Sequence, residues 1–294
     1  MGGAYENKRK IRRHIKALCL SGRSSSPSLV IDAGNTLGAP SALFAMEACI
    51  RKAAETGCCF ATVKNSNHFG TAAFYTKMAS EKGMIGFSCT NLTGKIAPYG
   101  AAEPFMGTNP ISVAAPSNDL PVVLDMTPSV VALGKLILAQ KLGQKIPLGW
   151  ALDQAGNPTT DPAEGRKGSL IPIGGPKGSG MAIIVDILSG ILSGAGYGPH
   201  LHDLYEFDAP QGVGHFMGAI DIAHFIDLHT FKNTLSAMIK EIKELQVAPG
   251  FNEIRLPGER ALSLIEKNRL EGIELPDLVY QELLEIGQTY GLKL

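Results

Sequence analysis

The stretch Phe60–Gly83, FATVKNSNHFGTAAFYTKMASEKG, contains the pattern on which the fold prediction depends. Residues 60–64 are typical of a buried strand, and residues 71–82 have the composition of a helix that ends at Gly83. The polar turn Ser66-Asn67-His68-Phe69-Gly70 lies between them. A strand that leads through a short loop into a helix is a common unit of α/β proteins, and ligands tend to bind at such strand ends.

Further strand and helix patterns extend in both directions from this unit. Upstream, a short strand at 28–32 precedes a helix at 41–55 whose apolar residues fall on one face. The scattered strands do not form one regular βαβ series, so the predicted class is mixed α/β or α+β. The predicted downstream elements are strands at 84–90, 111–115, 122–126 and 170–173, and helices at 129–142, 231–245, 259–270 and 276–290, with one long helix after a glycine loop at 174–180.

The composition is that of a folded and neutral protein. The 294 residues include 27 Lys and Arg against 27 Asp and Glu, which argues against a general nucleic-acid binder. The 34 Gly and 18 Pro, together with 45% apolar residues, indicate many tight turns. The longest apolar stretch, 181–197, is interrupted by Asp186 and three glycines and is too short to span a membrane. The five cysteines form no CxxC pair, which is typical of reduced thiols in a cytoplasmic protein.

Charge is distributed unevenly along the chain. Residues 1–31 contain seven basic side chains and one acid, so the rest of this neutral chain has an excess of six acids. A serine-rich stretch follows the basic residues. We interpret this start as a solvated basic helix and a loop, with a mitochondrial targeting segment as the alternative.

The glycine loop 174–180, GGPKGSG, is the first candidate site. Its glycines would let backbone amides approach a ligand closely, and the helix that follows would favour an anion at its N-terminus. Lys177 adds a positive charge suited to a phosphate. The loop matches neither GxxxxGK[ST] nor GxGxxG, so a phosphate or dinucleotide site and a flexible connection are both open.

His68 is the second candidate. A histidine titrates near pH ~6.5 and suits general acid–base catalysis at neutral pH. Its position after a strand favours a functional role, although a lone histidine is also common as a structural residue.

Short polar residues near two further strands form the third candidate. The turn 107–110, GTNP, and the later Asp125-Met126-Thr127 can orient a small ligand, and Asp125 can accept hydrogen bonds from a ribose; Asn-Pro is also an ordinary turn former. His200 and His202 have the spacing of some metal sites, but no ligand cluster accompanies them and we predict no metal. The other histidines without readable partners are interpreted as structural: His215, His224 and His229.

Seven short motifs follow one another between residues 65 and 259. They are NSNHFG at 65–70, GTNP at 107–110, LDM at 124–126, GWALD at 149–153, TTDP at 159–162, GGPKG at 174–178, and PGFN at 249–252 with PGE at 257–259. In this order they resemble the malate/L-lactate dehydrogenase family of NAD(P)-dependent oxidoreductases, which is unrelated to the Rossmann-type lactate dehydrogenases.

The resemblance implies a sulfolactate-dehydrogenase-like fold whose cofactor domain is built on a largely antiparallel sheet, not a Rossmann fold. We therefore expect an atypical basic segment at 1–30 and an oxidoreductase body at 31–294. The cofactor domain would span roughly 60–230, and the flanking segments would pack as a second, discontinuous domain. The resemblance also implies a homodimer and accounts for the missing GxGxxG motif.

The resemblance assigns roles to particular residues. His68 matches the proposed proton acceptor, and Gly107 and Thr108 fall where substrate contacts are expected. The residues that match cofactor contacts, for either NAD or NADP, are His68, Phe69, Gly70, Thr71, Ala72, Asp125, Met126, Thr127, Lys177, Arg255, Pro257, Gly258 and Glu259.

The implied activity is hydride transfer between the nicotinamide cofactor and a small 2-hydroxy acid such as malate or lactate, or its 2-oxo acid. This reaction needs a base for the hydroxyl proton and a cation for the carboxylate. Residues 1–30 do not match the Asp-x-Arg-Gly-x-x-Ser-His-Gly-like segment expected near the start of family members. The alternative is therefore a catalytically impaired relative that binds dinucleotide or dimerises without turnover. Neither interpretation involves a nucleic acid or a membrane.

Overall fold

Two β-sheets organise the structure, a computed structural model that describes residues 19–20, 27–206 and 208–292. The larger sheet has seven strands and the smaller has three. The large sheet contains β1 (Cys19–Leu20), β2 (Ser28–Asp32), β3 (Cys58–Ser66), β4 (Met84–Thr90), β5 (Ile111–Ala115), β6 (Val122–Met126) and β10 (Val213–Asp221), and the small sheet contains β7 (Ala151–Leu152), β8 (Pro158–Thr159) and β9 (Ser169–Leu170).

The large sheet is mostly antiparallel. Its strand order is β1-β2-β3-β10-β4-β5-β6, and only β2 and β3 pair in parallel. Helix α1 (Gly38–Thr56) connects these two strands and makes a single βαβ unit. The predicted mixed α/β class with a largely antiparallel sheet is confirmed, and the division into domains at 30 and near 60 and 230 stays a prediction.

The helices pack around this sheet and extend beyond it at the C-terminus. None of the helices in the described ranges is long and apolar enough to cross a bilayer. The helices after α1 are α2 (Ala72–Ser80), α3 (Leu133–Lys141), α4 (Pro162–Lys167), α5 (Pro176–Val185), α6 (Leu228–Glu244), α7 (Glu259–Glu271) and α8 (Asp277–Thr289).

Besides shifts of two or three residues at other element ends, three predicted elements differ clearly from the structure. The helix expected at 129–142 begins only at Leu133, because Ser129 pairs with Pro172 in a β-bridge and its hydroxyl donates to the Val131 carbonyl. The long helix after the glycine loop changes at residue 186 into a π-helical turn, Asp186–Ile191. The strand expected at 170–173 is the two-residue strand β9.

The central strand β10 was not predicted at all. Its sequence, VGHFMGAID, contains two glycines, which are unfavourable in strands and hide the pattern. Both are required by close packing. A Cβ on Gly214 would collide with the Ser189 carbonyl, and one on Gly218 would collide with the Phe60 ring. The strand is therefore stabilised by tertiary contacts that local sequence does not reveal.

Two hydrophobic cores flank the sheet system. The first lies under α1 and α2 and includes Met46, Val63, Tyr75 and Met217. The second lies around α3 and the small sheet and includes Leu136. The loops that lead into α2 and α3 lie at one end of the large sheet, next to elements of these two cores.

The pairing register brings the predicted site segments to this one end. Ser66 at the end of β3 pairs with Val213 at the start of β10, and Ile111 at the start of β5 pairs with Met126 at the end of β6. Because neighbouring antiparallel strands enter and leave a sheet at the same end, the adjoining loops become neighbours. These loops are 67–71, 107–110 and 127–132.

Candidate functional site

His68 lies in the loop between β3 and α2. Its backbone N–H donates to Gln211 Oε1 at 2.8 Å, and its ring Nδ1 accepts the Gly70 N–H at 3.2 Å. Within the described residues, Nε2 is left without a hydrogen-bond partner. The side chain reaches solvent, yet desolvation by the surrounding protein lowers the pKa of His68. At neutral pH the ring is therefore mostly uncharged and able to exchange a proton at Nε2.

An aromatic stack anchors the residue that follows His68. The Phe69 ring is buried and stacks on Tyr75, with centroids 5.1 Å apart, and on His215, with centroids 4.7 Å apart. The Tyr75 hydroxyl donates to the Phe69 carbonyl, and burial raises the pKa of Tyr75 to about 12. His215 belongs to this region only through β10, a strand that the sequence pattern does not predict.

Asp125 joins the end of β6 to the first turn of α2. Its Oδ2 accepts the backbone N–H of Ala73 at 3.0 Å, whereas the Thr71 side chain makes no capping bond. The carboxylate thus caps the helix N-terminus, where a negative charge is favourable. Desolvation raises the pKa of Asp125, and the Ala73 amide opposes this effect. Its second oxygen, Oδ1, has no hydrogen-bond donor among the described residues and is free to accept a bond from a ligand hydroxyl.

A cleft of about 1140 Å³ brings together five of the predicted cofactor contacts from three distant segments. Its walls are mainly apolar, and its volume slightly exceeds the ~300–1,000 Å³ usual for small-molecule sites. The charged groups that line it are Asp125, Lys77 and Arg260. The predicted contacts that line it are Phe69, Thr71, Asp125, Pro257 and Gly258.

Pro257 and Gly258 form one wall of this cleft. The Pro257 carbonyl accepts the Val123 N–H at 3.1 Å, so the late loop runs along the edge strand β6. Gly258 has φ +86°, and a Cβ at this position would lie 2.8 Å from the Val123 side chain. Glycine is needed here for both its backbone conformation and its lack of volume.

Their neighbours Glu259 and Arg255 form ion pairs. Glu259 accepts from Lys243 at 2.6 Å, and this bond holds the pKa of Glu259 below its usual range. Arg255 pairs with Glu253 at 2.6 Å. Neither residue lines the cleft, so their contribution to it is to shape the loop.

Other predicted cofactor contacts border the cleft without lining it. Gly70 precedes α2 and Ala72 begins it. Met126 ends β6, and the Thr127 hydroxyl bonds to Ser129 Oγ at 2.8 Å. Gly70 and Ala72 thus lie at the start of α2, and Met126 and Thr127 lie at the end of β6. These are the two elements that Asp125 connects.

Lys177 is exposed in the first turn of α5 and does not line the cleft. A Cβ on the adjacent Gly178 would meet the Pro128 carbonyl at 2.5 Å, which places the glycine loop beside the segment after β6. Gly174 and Gly175 both have φ near +60°. The loop therefore lies at the same end of the sheet, separated from the cleft by residues 127–129.

The predicted substrate contacts Gly107 and Thr108 are buried in a loop held from below by Asp186. Asn109 has φ +38° and its amide donates to Asp186 Oδ2 at 3.1 Å. Asn91 donates to the other carboxylate oxygen at 3.1 Å. Burial raises the pKa of Asp186, and both amides oppose this effect. The sequence analysis treated Asp186 only as a polar break in an apolar stretch and did not anticipate this role.

The structure describes no metal centre. Among residues 19–20, 27–206 and 208–292, no group of three or more His, Cys, Asp or Glu side chains is placed to hold an ion. His202, with the spacing noted above, pairs with Glu206 at 3.1 Å.

Comparisons with known proteins give a consistent result. Residues 10–284 match a family model described as malate/L-lactate dehydrogenase. The malate dehydrogenase of Pyrococcus horikoshii is 38% identical over 302 residues, which cover 97% of this chain and 83% of that protein. The ureidoglycolate dehydrogenase (NAD(+)) of Escherichia coli K12 is 33% identical over 259 residues, which cover 87% of this chain and 74% of that protein.

A solved structure shows the same architecture. The sulfolactate dehydrogenase from Methanocaldococcus jannaschii is similar with a TM-score of 0.86 and 35% identity. The likeness covers 98% of this chain and 83% of that chain. The expectation of a sulfolactate-dehydrogenase-like fold is confirmed.

Proposed function

The chain belongs to the malate/L-lactate dehydrogenase family, as its motifs predicted, and we propose that it transfers a hydride between NAD or NADP and a small 2-hydroxy acid. The observation that carries this proposal is the cleft, which joins three distant segments of predicted cofactor contacts. The same loop that contributes Phe69 and Thr71 to the cleft contains His68. The same loop would therefore contribute both to cofactor binding and to proton transfer.

The chemistry of the cleft fits a dinucleotide. Its apolar walls suit a base ring, and Asp125 Oδ1 can accept a bond from a ribose hydroxyl. Lys77 and Arg260 supply positive charge for a pyrophosphate. When bound, the nicotinamide would accept or give the hydride.

His68 would exchange the proton that accompanies this hydride. In the neutral ring, the bond from the Gly70 N–H to Nδ1 places the ring proton on Nε2. This tautomer can donate a hydrogen bond to the C2 oxygen of a 2-oxo acid. To take up the hydroxyl proton in the direction of oxidation, Nε2 needs a free lone pair, so the ring must pass to the tautomer with its proton on Nδ1 and give up the bond from the Gly70 N–H. The lowered pKa keeps the ring neutral before this step, and the imidazolium that forms returns the proton from Nε2 in the direction of reduction.

The substrate would be a small acid held near Gly107 and Thr108, and malate or lactate are the first candidates. Sulfolactate and ureidoglycolate extend this set, because related dehydrogenases are named for these acids. We also propose that the protein works in the cytoplasm as a homodimer, which light scattering and cell fractionation would test.

The decisive experiment is a spectrophotometric panel. Malate, lactate, sulfolactate, ureidoglycolate and their oxidised counterparts are each assayed with NAD and with NADP, and calorimetry measures the binding of both cofactors. We expect turnover with at least one pair. Dinucleotide binding without any turnover would show an impaired relative instead. A His68→Gln variant with the turnover of the unmodified chain would remove His68 from the mechanism.

A further inference from the structure

His215 is a fully buried histidine that lies directly behind the His68 loop. It occupies the central strand β10, and its solvent exposure is 0%. Its ring is nearly parallel to that of Phe69, with an interplanar angle of 15° and centroids 4.7 Å apart. Phe69 is covalently adjacent to His68, so one ring of this stack directly determines the path of the catalytic loop.

Hydrogen bonds fix the orientation of the His215 ring. Nδ1 lies 2.8 Å from Thr90 Oγ1, and Nε2 lies 2.7 Å from Ser66 Oγ. The Thr90 hydroxyl donates its own hydrogen to the Gly214 carbonyl at 2.9 Å. With its hydrogen used in this way, Thr90 accepts from His215 Nδ1, and Nε2 accepts from Ser66, whose alternative acceptor, the Asn67 carbonyl, is 3.5 Å away.

The ring is also electrically neutral. Burial lowers the pKa of His215 to about 3, so protonation is negligible near neutral pH. A neutral ring with both nitrogens satisfied can be buried beside His68 without adding a positive charge that would disturb its titration.

The residues just before β10 hold the backbone of the loop. Gln211, four residues before His215, accepts the His68 N–H at 2.8 Å through Oε1. Tyr75 also stacks on the Phe69 ring and donates to the Phe69 carbonyl. These contacts fix two consecutive residues of the loop, His68 and Phe69.

We propose that His215 is a positioning residue for the reaction: its ring stacks on Phe69 and so sets the place of the His68 imidazole. This inference rests on the proposed function, in which His68 exchanges the substrate proton. His215 acts through Phe69 and does not itself touch substrate or cofactor. Phe69 also lines the cleft, so loss of the stack should weaken cofactor binding to some extent, while Thr71 and Asp125 are held separately through the Asp125–Ala73 bond.

Two matched variants test this role. His215→Leu and His215→Phe both remove the bonds to Ser66 and Thr90, so both should destabilise the fold to a similar extent. Only phenylalanine restores a planar ring against Phe69. We expect kcat to fall on the order of 10–100-fold in His215→Leu, with a smaller loss of cofactor affinity, and His215→Phe to recover about tenfold of the loss in kcat. Exposed His229 on α6 provides the control variant, His229→Ala.

Imidazole NMR gives a readout that does not need turnover. The titration midpoint and ring shifts of His68 should move in His215→Leu and return toward those of the unmodified chain in His215→Phe. Equal kcat values in the two variants, with unchanged His68 resonances, would overturn the proposal. If the unmodified chain shows no turnover, the proposed function fails, while the NMR comparison still decides whether His215 positions His68.

Discussion

Because His215 is buried in its neutral form, the free energy of unfolding should depend on pH. Its pKa is about 3 in the folded chain, against ~6.5 in an unfolded one, so between these values only the unfolded chain binds the proton. Stability from this residue is therefore complete above pH ~6.5 and is lost as the pH falls. We expect a loss of about 1.4 kcal/mol per pH unit in that window.

Urea denaturation at pH 7 and pH 5 measures this effect. His215→Phe cannot take up the proton, so its free energy of unfolding should fall less between the two pH values than that of the unmodified chain. Carboxylates contribute to both proteins alike and cancel in the difference. Parallel pH dependences would mean that the ring is already protonated in the folded protein or accessible to water.

Gly258 provides a second prediction at the scale of one residue. An alanine there would combine the strain of φ +86° with a collision at Val123. The strain is worth about 1–2 kcal/mol and the overpacking about 1–3 kcal/mol. Gly258→Ala should therefore lower the free energy of unfolding by roughly 2–5 kcal/mol and weaken dinucleotide binding.

Gly250 is the matched control for this substitution. It has nearly the same φ, +88°, but nothing lies within 4 Å of its would-be Cβ. Gly250→Ala should show the strain alone, about 1–2 kcal/mol, and leave dinucleotide affinity unchanged. If both variants behave identically, Gly258 is needed only for its backbone conformation and not for packing against β6.

At the scale of elements, Asp125 connects the end of β6 with the start of α2. Removal of its carboxylate in Asp125→Ala deletes the cap of α2 and the acceptor offered to a ribose hydroxyl. We expect a loss of about 1 kcal/mol in stability and about tenfold in dinucleotide affinity, both from one lost hydrogen bond in each place. Chemical denaturation and calorimetry measure the two effects.

Asp119→Ala serves as the control for this prediction, since Asp119 is exposed in the hairpin between β5 and β6. It should alter neither quantity. A dinucleotide Kd that is the same in Asp125→Ala and the unmodified chain would restrict Asp125 to helix capping.

The strands show how much of the fold could be predicted from the sequence. The strands at 84–90, 111–115 and 122–126 have the predicted bounds because each is a short apolar run with Gly, Pro or Asn on at least one side. β10 escaped prediction because its glycines are selected by contacts with Ser189 and Phe60, which are distant in sequence. Without β10, His215 and Gln211 could not be placed next to His68.

At the scale of the whole molecule, the site depends on the order of strands in the sheet. Motifs identified His68, Asp125 and Gly258 individually, because each stands in a short recognisable segment. Their proximity follows from the pairing of β10 with both β3 and β4 and from the path of the late loop along β6. These are long-range relations, and no local pattern encodes them.

Hydrogen exchange tests whether the cleft works as one site. With dinucleotide at 100 times its Kd, the folded chain gains about 2.7 kcal/mol, so amides that exchange through global unfolding should slow by about 100-fold. Amides that exchange through local opening should slow only where the ligand contacts the chain. We expect such local protection at 69–75, 123–125 and 256–265 together, because these segments line the same cleft.

The loop at 200–206 does not line this cleft and provides an internal control. Protection confined to the glycine loop 174–180 would instead place the dinucleotide at Lys177, on the other side of residues 127–129, and would separate the large cleft from cofactor binding.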